Sequence, residues 1–241
     1  MSSILAAPTP TPINIWRIPL AELAPWHRDF QKLLNPVEQA RAARFVFKRH
    51  QEYFVIARGA LRTVLGYYLS IAPATIQFTY GPHGKPSAQE CALQFNLSHA
   101  GDWAYLAISE SAPVGIDVER LRPPSRHGWL DLARRFFSAS EVAELAAMPL
   151  DKQTEAFFAC WTRKEAYIKL HGRGLSLPLA HFSVSTSPDS NATLRTSEWL
   201  PEDVARTAMR DLTTPQGYRA CVAARAESGI VVHQHEWADL R

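Results

Sequence analysis

The same succession of elements occurs in both halves of the chain: a long helical segment, then short β strands. Residues 35–69 are predicted to be helical, and from Phe54 to Tyr68 apolar residues recur at intervals of three and four, which gives this helix one buried face. The segment 151–172 is similar, and it ends at Gly172, the position of a helix C-cap. Strand-forming segments follow both helices. The sequence therefore predicts an α+β fold with two lobes, joined near residues 111–113.

The predicted boundaries divide the chain into a flexible tail over residues 1–12, an N-terminal lobe over 13–112 and a C-terminal lobe over 113–241. The tail is predicted because prolines interrupt the first residues. A helix followed by strands is common in α+β chains. The repeated order therefore fits an internal duplication and a chance succession about equally well.

The composition is that of an ordinary globular protein, since 46% of the 241 residues are hydrophobic and 20% are charged. A chain of this size buries enough apolar surface to fold without a disulfide or a structural metal. The formal net charge of +3 is too small for the basic stripe of a nucleic-acid-binding protein. We expect no nucleic-acid partner; a local basic patch for a small polyanion is compatible with this charge.

The three cysteines, Cys91, Cys160 and Cys221, lie far apart and have no CxxC spacing. This arrangement argues against a disulfide framework and against a zinc site, and it fits a reducing cytoplasm. The N-terminal residues lack the basic region of a secretory signal, and no apolar run approaches the roughly 18 residues of a membrane helix. We therefore expect a cytoplasmic protein that does not enter the membrane.

The stretch PVGIDVER, residues 113–120, predicts a buried strand that ends with two acids one residue apart. Because side chains alternate in a strand, Asp117 and Glu119 point to one face while Ile116 and Val118 point to the other. Neighbouring carboxylates repel each other, and each favours its protonated form unless a cation or strong hydrogen-bond donors lie between them. The pattern therefore predicts a positive charge beside this strand.

A second informative stretch is CWTRKEAYIKLHGRG, residues 160–174. On a helix, Trp161, Glu165 and Lys169 are spaced by four and share one face. The simplest interpretation is a solvated ion pair between Glu165 and Lys169. The helix is apolar over much of its circumference, however, which places both side chains near buried surface. With the two strand carboxylates, Glu165 would complete a set of three, the hard oxygen ligands that Mg²⁺ takes together with water and phosphate oxygens.

Several other polar residues are less specific when taken alone. Lys85 lies in the turn GPHGKP, and Ser98 and His99 lie near a strand end. The basic residues of RFVFKRHQEYFVIAR are Arg44, Lys48, Arg49 and Arg58. The default roles are a turn, a hydrogen-bonded histidine and a solvated helix face. Together with the acids, these residues favour a site for a metal-bridged pyrophosphate that carries an extra phosphate.

Five blocks follow one another along the chain: GKP, FNLSHAGDWAYLAIS, VGIDVER, RRFFSASE and WTRKEAYIKLHGRGLSLPL. In this order and at these spacings they resemble the signature motifs of the 4'-phosphopantetheinyl transferases, above all the larger, pseudo-dimeric type typified by the surfactin-synthetase activator. WRIPL near the start resembles cyanobacterial members. The resemblance extends from about Trp16 to the last predicted strand, and it leaves out the tail and residues 185–211.

The resemblance implies transfer of 4'-phosphopantetheine from coenzyme A to a serine of an acyl or peptidyl carrier protein, with release of adenosine 3',5'-bisphosphate. It implies two similar lobes related by a pseudo-twofold axis, each with a long helix on a small, mostly antiparallel sheet, and the nucleotide between them. The implied Mg²⁺ ligands are Asp117, Glu119 and Glu165. The residues implied to bind coenzyme A are Lys85, Ser98, His99 and Lys169, with Arg49 and Arg58.

By the same resemblance, His99 lies near the 3'-phosphate, which basic residues of the preceding helical segment also hold. The chain has Glu38 where one of the family's lysines would fall, and it offers Arg41, Arg49 and Arg58 instead. We take Arg49 as the first candidate, because a basic residue after FVF recurs in the family.

Phosphoryl transfer chiefly requires positioning and charge neutralisation, so no enzyme nucleophile is needed. We expect Asp117, Glu165 and Lys169 to be the catalytic residues. Glu165 is the expected acceptor of the serine proton, directly or through a water, and Glu141 of FFSASE is the alternative. Trp161 is expected to pack in the core beneath Glu165.

Carrier proteins are small and acidic, so the mild positive charge of this chain favours electrostatic steering of such a partner. We expect a monomer that docks carriers of fatty acid, polyketide or peptide synthases near the lobe junction. Apolar residues of the segment 121–137 either contribute to docking or pack inward. A metal-dependent coenzyme A pyrophosphohydrolase and a non-catalytic coenzyme A-binding protein are the alternatives, and the three acids argue against the second.

Overall fold

The computed structural model describes residues 9–89, 91–124 and 128–240. In these residues the α-helices are α1 (His27–Leu33), α2 (Pro36–Ala42), α3 (Lys48–Leu69), α4 (Gly128–Phe136), α5 (Ala139–Ala147), α6 (Leu150–His171) and α7 (Asp203–Arg206). The strands are β1 (Thr11–Pro19), β2 (Phe78–Tyr80), β3 (Pro86–Ala88), β4 (Gln94–Ala100), β5 (Trp103–Ser109), β6 (Val114–Arg120), β7 (Phe182–Val184), β8 (Leu194–Ser197), β9 (Thr207–Asp211), β10 (Tyr218–Arg225) and β11 (Ile230–Glu236). No described helix is long and apolar enough to cross a membrane.

Two small sheets form the centre of the molecule. The first has the order β11-β1-β5-β4, with β1 parallel to β11 and antiparallel to β5. The second has the order β6-β10-β9 and is antiparallel throughout. Because a long helix covers each sheet, the predicted two-lobe α+β fold is confirmed. The last strand, β11, lies in the sheet of the first lobe although it comes from the end of the chain.

Successive side chains of β1 and of β6 point to opposite faces of the strand, so they contact different parts of the molecule. Trp16 and Ile18 of β1 share a core with α3, whereas Ile13 and Ile15 face the second sheet. On β6, Val114, Ile116 and Val118 join this central core between the two sheets. Since successive side chains of a strand point to opposite faces, Asp117 and Glu119 face α6.

The contact between β6 and α6 is unusually close at Gly115. A Cβ atom built on Gly115 would lie 2.1 Å from the carbonyl oxygen of Ala166 and 2.2 Å from the nitrogen of Leu170. Only glycine leaves room for this approach. The glycine of the GID motif therefore brings the acidic face of β6 against the helix that carries Glu165 and Lys169.

The helix boundaries follow local capping signals. The predicted end of α6 at Gly172 is confirmed, since Gly172 has φ +64° and its N–H bonds the carbonyl of Lys169. The first helical segment is not continuous, because α2 ends at Ala42 and α3 begins at Lys48. The N-terminus of α2 carries a capping box between Asn35 and Glu38. The predicted tail is shorter than 1–12, as β1 begins at Thr11, and its residues 1–8 lie outside the described residues.

Candidate active site

Asp117 is the centre of a polar cluster between the two lobes. Its Oδ1 accepts hydrogen bonds from Lys169 Nζ at 2.5 Å and from Ser98 Oγ at 2.9 Å. Lys169 also donates to Ser98 Oγ at 3.0 Å. The carboxyl group is buried, and its Oδ2 atom has no hydrogen-bond partner among the described residues. Burial raises the pKa of Asp117, while Lys169 and Ser98 oppose that shift. The structure thus joins three residues that the sequence placed on three separate elements.

Glu119 on β6 and Glu165 on α6 both lie near Asp117, and the three residues form an acidic face. Burial, followed by the charges of Asp117 and, less strongly, Glu119, raises the pKa of Glu165 to about 7 against the effect of Lys169. Burial and Asp117 also raise the pKa of Glu119, which has Arg122 at 3.4 Å. The charge of Asp117 therefore makes ionisation of Glu119 and Glu165 harder, as the sequence predicted for acids that lack an intervening cation.

Lys85 reaches from the β2–β3 hairpin of the first lobe to the second lobe. Its Nζ donates to the carbonyl oxygens of Val114 at 2.8 Å and Leu170 at 3.0 Å. Burial lowers the pKa of Lys85 to about 8. The side chain lines a cleft of about 280 Å³ together with Glu165, Lys169 and Asn96. Lys85 thus lies in the predicted cleft, but its ammonium group caps the end of α6.

His99 lies at the exposed end of β4, in a region of positive charge. Partial desolvation lowers the pKa of His99, and the nearby Lys169, His50 and Arg41 lower it further. These groups come from β4, α6, α2 and α3. The neutral histidine and the surrounding cations make a suitable contact for an anion.

Arg58 does not have the free guanidinium group that a phosphate contact needs. It is buried, and it donates to Glu38 Oε1 at 2.5 Å and to the Tyr80 hydroxyl at 2.6 Å. Arg62 binds the other oxygen of Glu38 at 2.7 Å. A small cavity of about 210 Å³ beside this ion triad is lined by Arg41, whose guanidinium lies 5.3 Å from the centre of the Phe54 ring. The geometry favours Arg41 over Arg58 for binding an anion.

Arg49, the first candidate from the sequence, is bound to Asp102, and Asp102 in turn contacts the second lobe. Its Nη2 donates to Asp102 Oδ1 at 2.6 Å, and Tyr53 donates to the same oxygen at 2.7 Å. The backbone N–H of Asp102 donates to the hydroxyl of Tyr218 on β10 at 3.1 Å. Arg49 is therefore already paired with a carboxylate, which weakens its predicted role as a phosphate ligand.

Glu141 is excluded as a proton acceptor by its surroundings. It is completely buried, and Lys164 Nζ donates to its two oxygens at 2.8 and 2.6 Å. The backbone N–H groups of Ser138 and Val184 also donate to it at 2.8 Å. A buried ion pair with these bonds has a structural function, since breaking it would leave an uncompensated charge. The alternative acceptor in the sequence prediction is therefore wrong.

Two further contacts could not be assigned from the sequence alone. Asn96 is buried on β4, and its Oδ1 accepts the N–H of Ile116 at 2.9 Å, while Ser98 Oγ accepts the N–H of Val118 at 3.4 Å. These side chains join the edges of the two sheets at the acidic strand. The available signal was the alternation of polar residues in FNLSHA, which places Asn96 and Ser98 on one face.

The aromatic residues near the site have packing functions. Trp161 is partly buried and packs against Phe157, with 5.8 Å between ring centres, which agrees with the predicted packing role. Trp129 is buried and stacks on Phe157 at 4.5 Å. Of the two interpretations of the segment 121–137, inward packing fits Trp129. Residues 125–127 of that segment lie outside the described residues.

The acidic face offers oxygen ligands to a divalent cation. In the part of the chain that the structure describes, no group of three His, Cys, Asp or Glu side chains is already arranged around a common metal position. The donor chemistry nevertheless fits Mg²⁺, which prefers a few carboxylates together with water and phosphate oxygens. The unpartnered, buried Oδ2 of Asp117 and the raised pKa values of Glu119 and Glu165 both indicate missing positive charge.

Comparison with known proteins covers both lobes. A family model described as the 4'-phosphopantetheinyl transferase superfamily matches residues 113–223, and one described as 4'-phosphopantetheinyl transferase, N-terminal, matches residues 22–111. The 4'-phosphopantetheinyl transferase HetI of Nostoc sp. (strain PCC 7120) is 37% identical over 201 residues, which cover 79% of this chain and 84% of HetI. The transferase Sfp of Bacillus subtilis (strain 168) is 32% identical over 196 residues, or 81% of this chain and 84% of Sfp.

Proposed function

The chain belongs to the 4'-phosphopantetheinyl transferase superfamily and transfers 4'-phosphopantetheine from coenzyme A to carrier proteins, and we propose that it does so at a Mg²⁺ site formed by Asp117, Glu119 and Glu165. The single observation that supports this site most strongly is the buried Oδ2 of Asp117, which has no partner among the described residues while two further acids face it. Bound Mg²⁺ would supply Lewis acidity and neutralise phosphate charge there.

The chain's own residues account for the other requirements of the reaction. The serine oxygen of the carrier attacks the β-phosphorus of coenzyme A, the bond to the bridging oxygen breaks, and adenosine 3',5'-bisphosphate leaves. Lys169 offers an ammonium group beside Asp117 to the same phosphates. Glu165 is the proposed acceptor of the serine proton, directly or through a water, because its side chain lines the cleft beside Lys169.

Binding of coenzyme A is proposed for the cleft between the lobes. His99, Lys169 and Arg41 supply positive charge and a neutral imidazole for phosphate groups. Lys85 lines the same cleft and ties the β2–β3 hairpin to the end of α6, which supports a role in holding the cleft in shape. Ser98 positions Lys169 and Asp117 rather than presenting a free hydroxyl group.

We also propose that the protein acts as a monomer on carrier proteins in the cytoplasm. One chain supplies Ser98 from the first lobe and Asp117 and Glu165 from the second, so a monomer carries every residue that we assign. The proposed clients are carriers of fatty acid, polyketide or peptide synthases. A location in the reducing cytoplasm is supported by the free thiols of Cys91, Cys160 and Cys221.

The intact mass of an apo acyl carrier protein, measured after incubation with this chain, coenzyme A and Mg²⁺, tests the proposal. We expect a gain of one phosphopantetheine group, roughly 340 Da from its atomic composition, that disappears when EDTA is added. An unchanged carrier mass together with breakdown of free coenzyme A would instead indicate a pyrophosphohydrolase. A mass gain that persists in EDTA would refute the metal site but not the transfer.

A further inference from the structure

Apolar side chains are exposed where α2 is followed by α3. Val46 is 90% exposed and Phe47 is 67% exposed, and Val37 on α2 is 71% exposed. Phe45 packs beside Phe54, with 5.3 Å between ring centres, and Val37 lines the same small cavity as Phe54. We call Val37, Phe45, Val46 and Phe47 the α2–α3 patch. The protein does not need these exposed apolar side chains for folding, and their hydration is unfavourable. The cluster therefore indicates a binding surface.

Basic residues surround this patch. Lys48 has an 86% exposed side chain, and the side chain of Arg49 is 64% exposed. Arg44 is exposed as well, and Arg41 lies against the ring of Phe54. Two of the cations have acidic neighbours, since Lys48 lies 3.7 Å from Glu52 and Arg49 binds Asp102. An apolar centre with a cationic rim is complementary to a partner that presents apolar side chains among carboxylates.

A chain of contacts leads from the patch to β10 and to the end of β6. Arg49, two residues after Phe47, binds Asp102, and the Asp102 N–H contacts Tyr218 of the second sheet. A Cβ atom built on the neighbouring Gly101 would lie 3.1 Å from Cδ of Arg120, the residue that follows Glu119. A protein seated on the patch would therefore border the strand that carries the acidic face.

From this geometry we infer that the α2–α3 patch is a docking surface for the carrier-protein substrate, an inference that rests on the proposed function. A carrier that is small and acidic matches the cationic rim, and its exposed apolar side chains match Val46 and Phe47. The rim would accelerate encounter, while the apolar centre would slow dissociation.

Steady-state transfer to an apo acyl carrier protein tests the inference with three variants. Val46→Asp should raise the KM for the carrier by about tenfold, with the KM for coenzyme A unchanged, since a charge would replace an apolar contact. Lys48→Glu should raise the same KM at low salt, and 0.5 M NaCl should remove most of that effect because salt screens exposed charges. An acid is acceptable at this first position of α3, so the fold should persist.

Leu150→Asp is the matched control, because Leu150 is 85% exposed and lies about 22 Å along α6 from Glu165. It should leave both KM values unchanged. Equal carrier KM values for Val46→Asp and the unmodified chain, or the same increase in Leu150→Asp, would overturn the docking inference. So would a selective rise in the KM for coenzyme A, or a self-association that only Val46→Asp abolishes while carrier kinetics stay unchanged. Absence of transfer by the unmodified chain would refute the proposed function itself.

Discussion

At Glu165, burial and two neighbouring carboxylates oppose ionisation, and only Lys169 favours it. A carboxyl group in such a place is costly for the fold and useful for chemistry, because it can hold a cation or take a proton near neutral pH. Its position on α6 is fixed by packing on both flanks, since Ala166 and Lys164 are buried. The packing of the helix therefore places Glu165 at the cleft.

Replacing Glu165 by Gln should lower the rate of transfer by roughly 100-fold or more, because the change removes both a proposed metal ligand and the proposed proton acceptor. Thermal stability should not decrease, as the variant removes a charge that burial opposes. Initial rates and thermal melts of the same preparation check both points. Glu155→Gln is the control on the same helix, because Glu155 forms a partly exposed ion pair with Arg219 and is assigned no role in the site. Near-normal turnover of Glu165→Gln would refute the assigned role.

Lys85 should make stability depend on pH in a defined window. Its pKa is lowered from 10.5 to about 8 in the folded chain. Between these pH values the unfolded chain binds more protons, so this residue makes the free energy of unfolding rise as pH increases from about 8 to 10.5.

The difference between the unmodified chain and Lys85→Met isolates that contribution from other titrating groups. Measured by urea denaturation at pH 7.5 and pH 10, the free energy of unfolding should increase more, or decrease less, in the unmodified chain than in the variant. The same pH response in both proteins would contradict the burial of the ammonium group.

At the scale of elements, the close contact between β6 and α6 depends on Gly115. Gly115→Ala should destabilise the protein by roughly 3 kcal/mol, because the added methyl group meets backbone atoms that cannot move without separating strand and helix. The midpoint of urea denaturation measures the loss. Gly81→Ala is the matched control, since its nearest neighbour would lie 3.7 Å away. If both variants have the midpoint of the unmodified chain, the described packing is wrong.

The elements themselves were largely predictable from local patterns. Strand alternation in VGIDVER placed Asp117 and Glu119 on one face, and the structure turns that face toward α6. The C-cap at Gly172 was also predictable from the local sequence, because glycine is favoured directly after the end of a helix. The break between α2 and α3 was missed because a run of good helix formers, such as Ala43 and Arg44, conceals it.

At the scale of the whole molecule, the contacts that join distant segments could not be predicted. The pairing of β11 with β1 brings the two ends of the chain together, and no local pattern encodes it. Long-range ion pairs also determine which arginines are available to bind a phosphate, because Glu38 neutralises Arg58 and Asp102 neutralises Arg49. Sequence motifs identified the kinds of side chain in the site. Only the fold shows which basic side chains are already paired with carboxylates.

The Mg²⁺ concentration that gives half-maximal transfer, compared between the unmodified chain and Asp117→Asn, tests the central claim most directly. The loss of one buried carboxylate charge should raise that concentration by roughly tenfold or more, since changes at a metal site typically cost this much affinity. Thermal melts with and without Mg²⁺ provide a readout that does not depend on turnover, and only the unmodified chain should be stabilised. Identical Mg²⁺ dependence in the two proteins would contradict a cation site at Asp117.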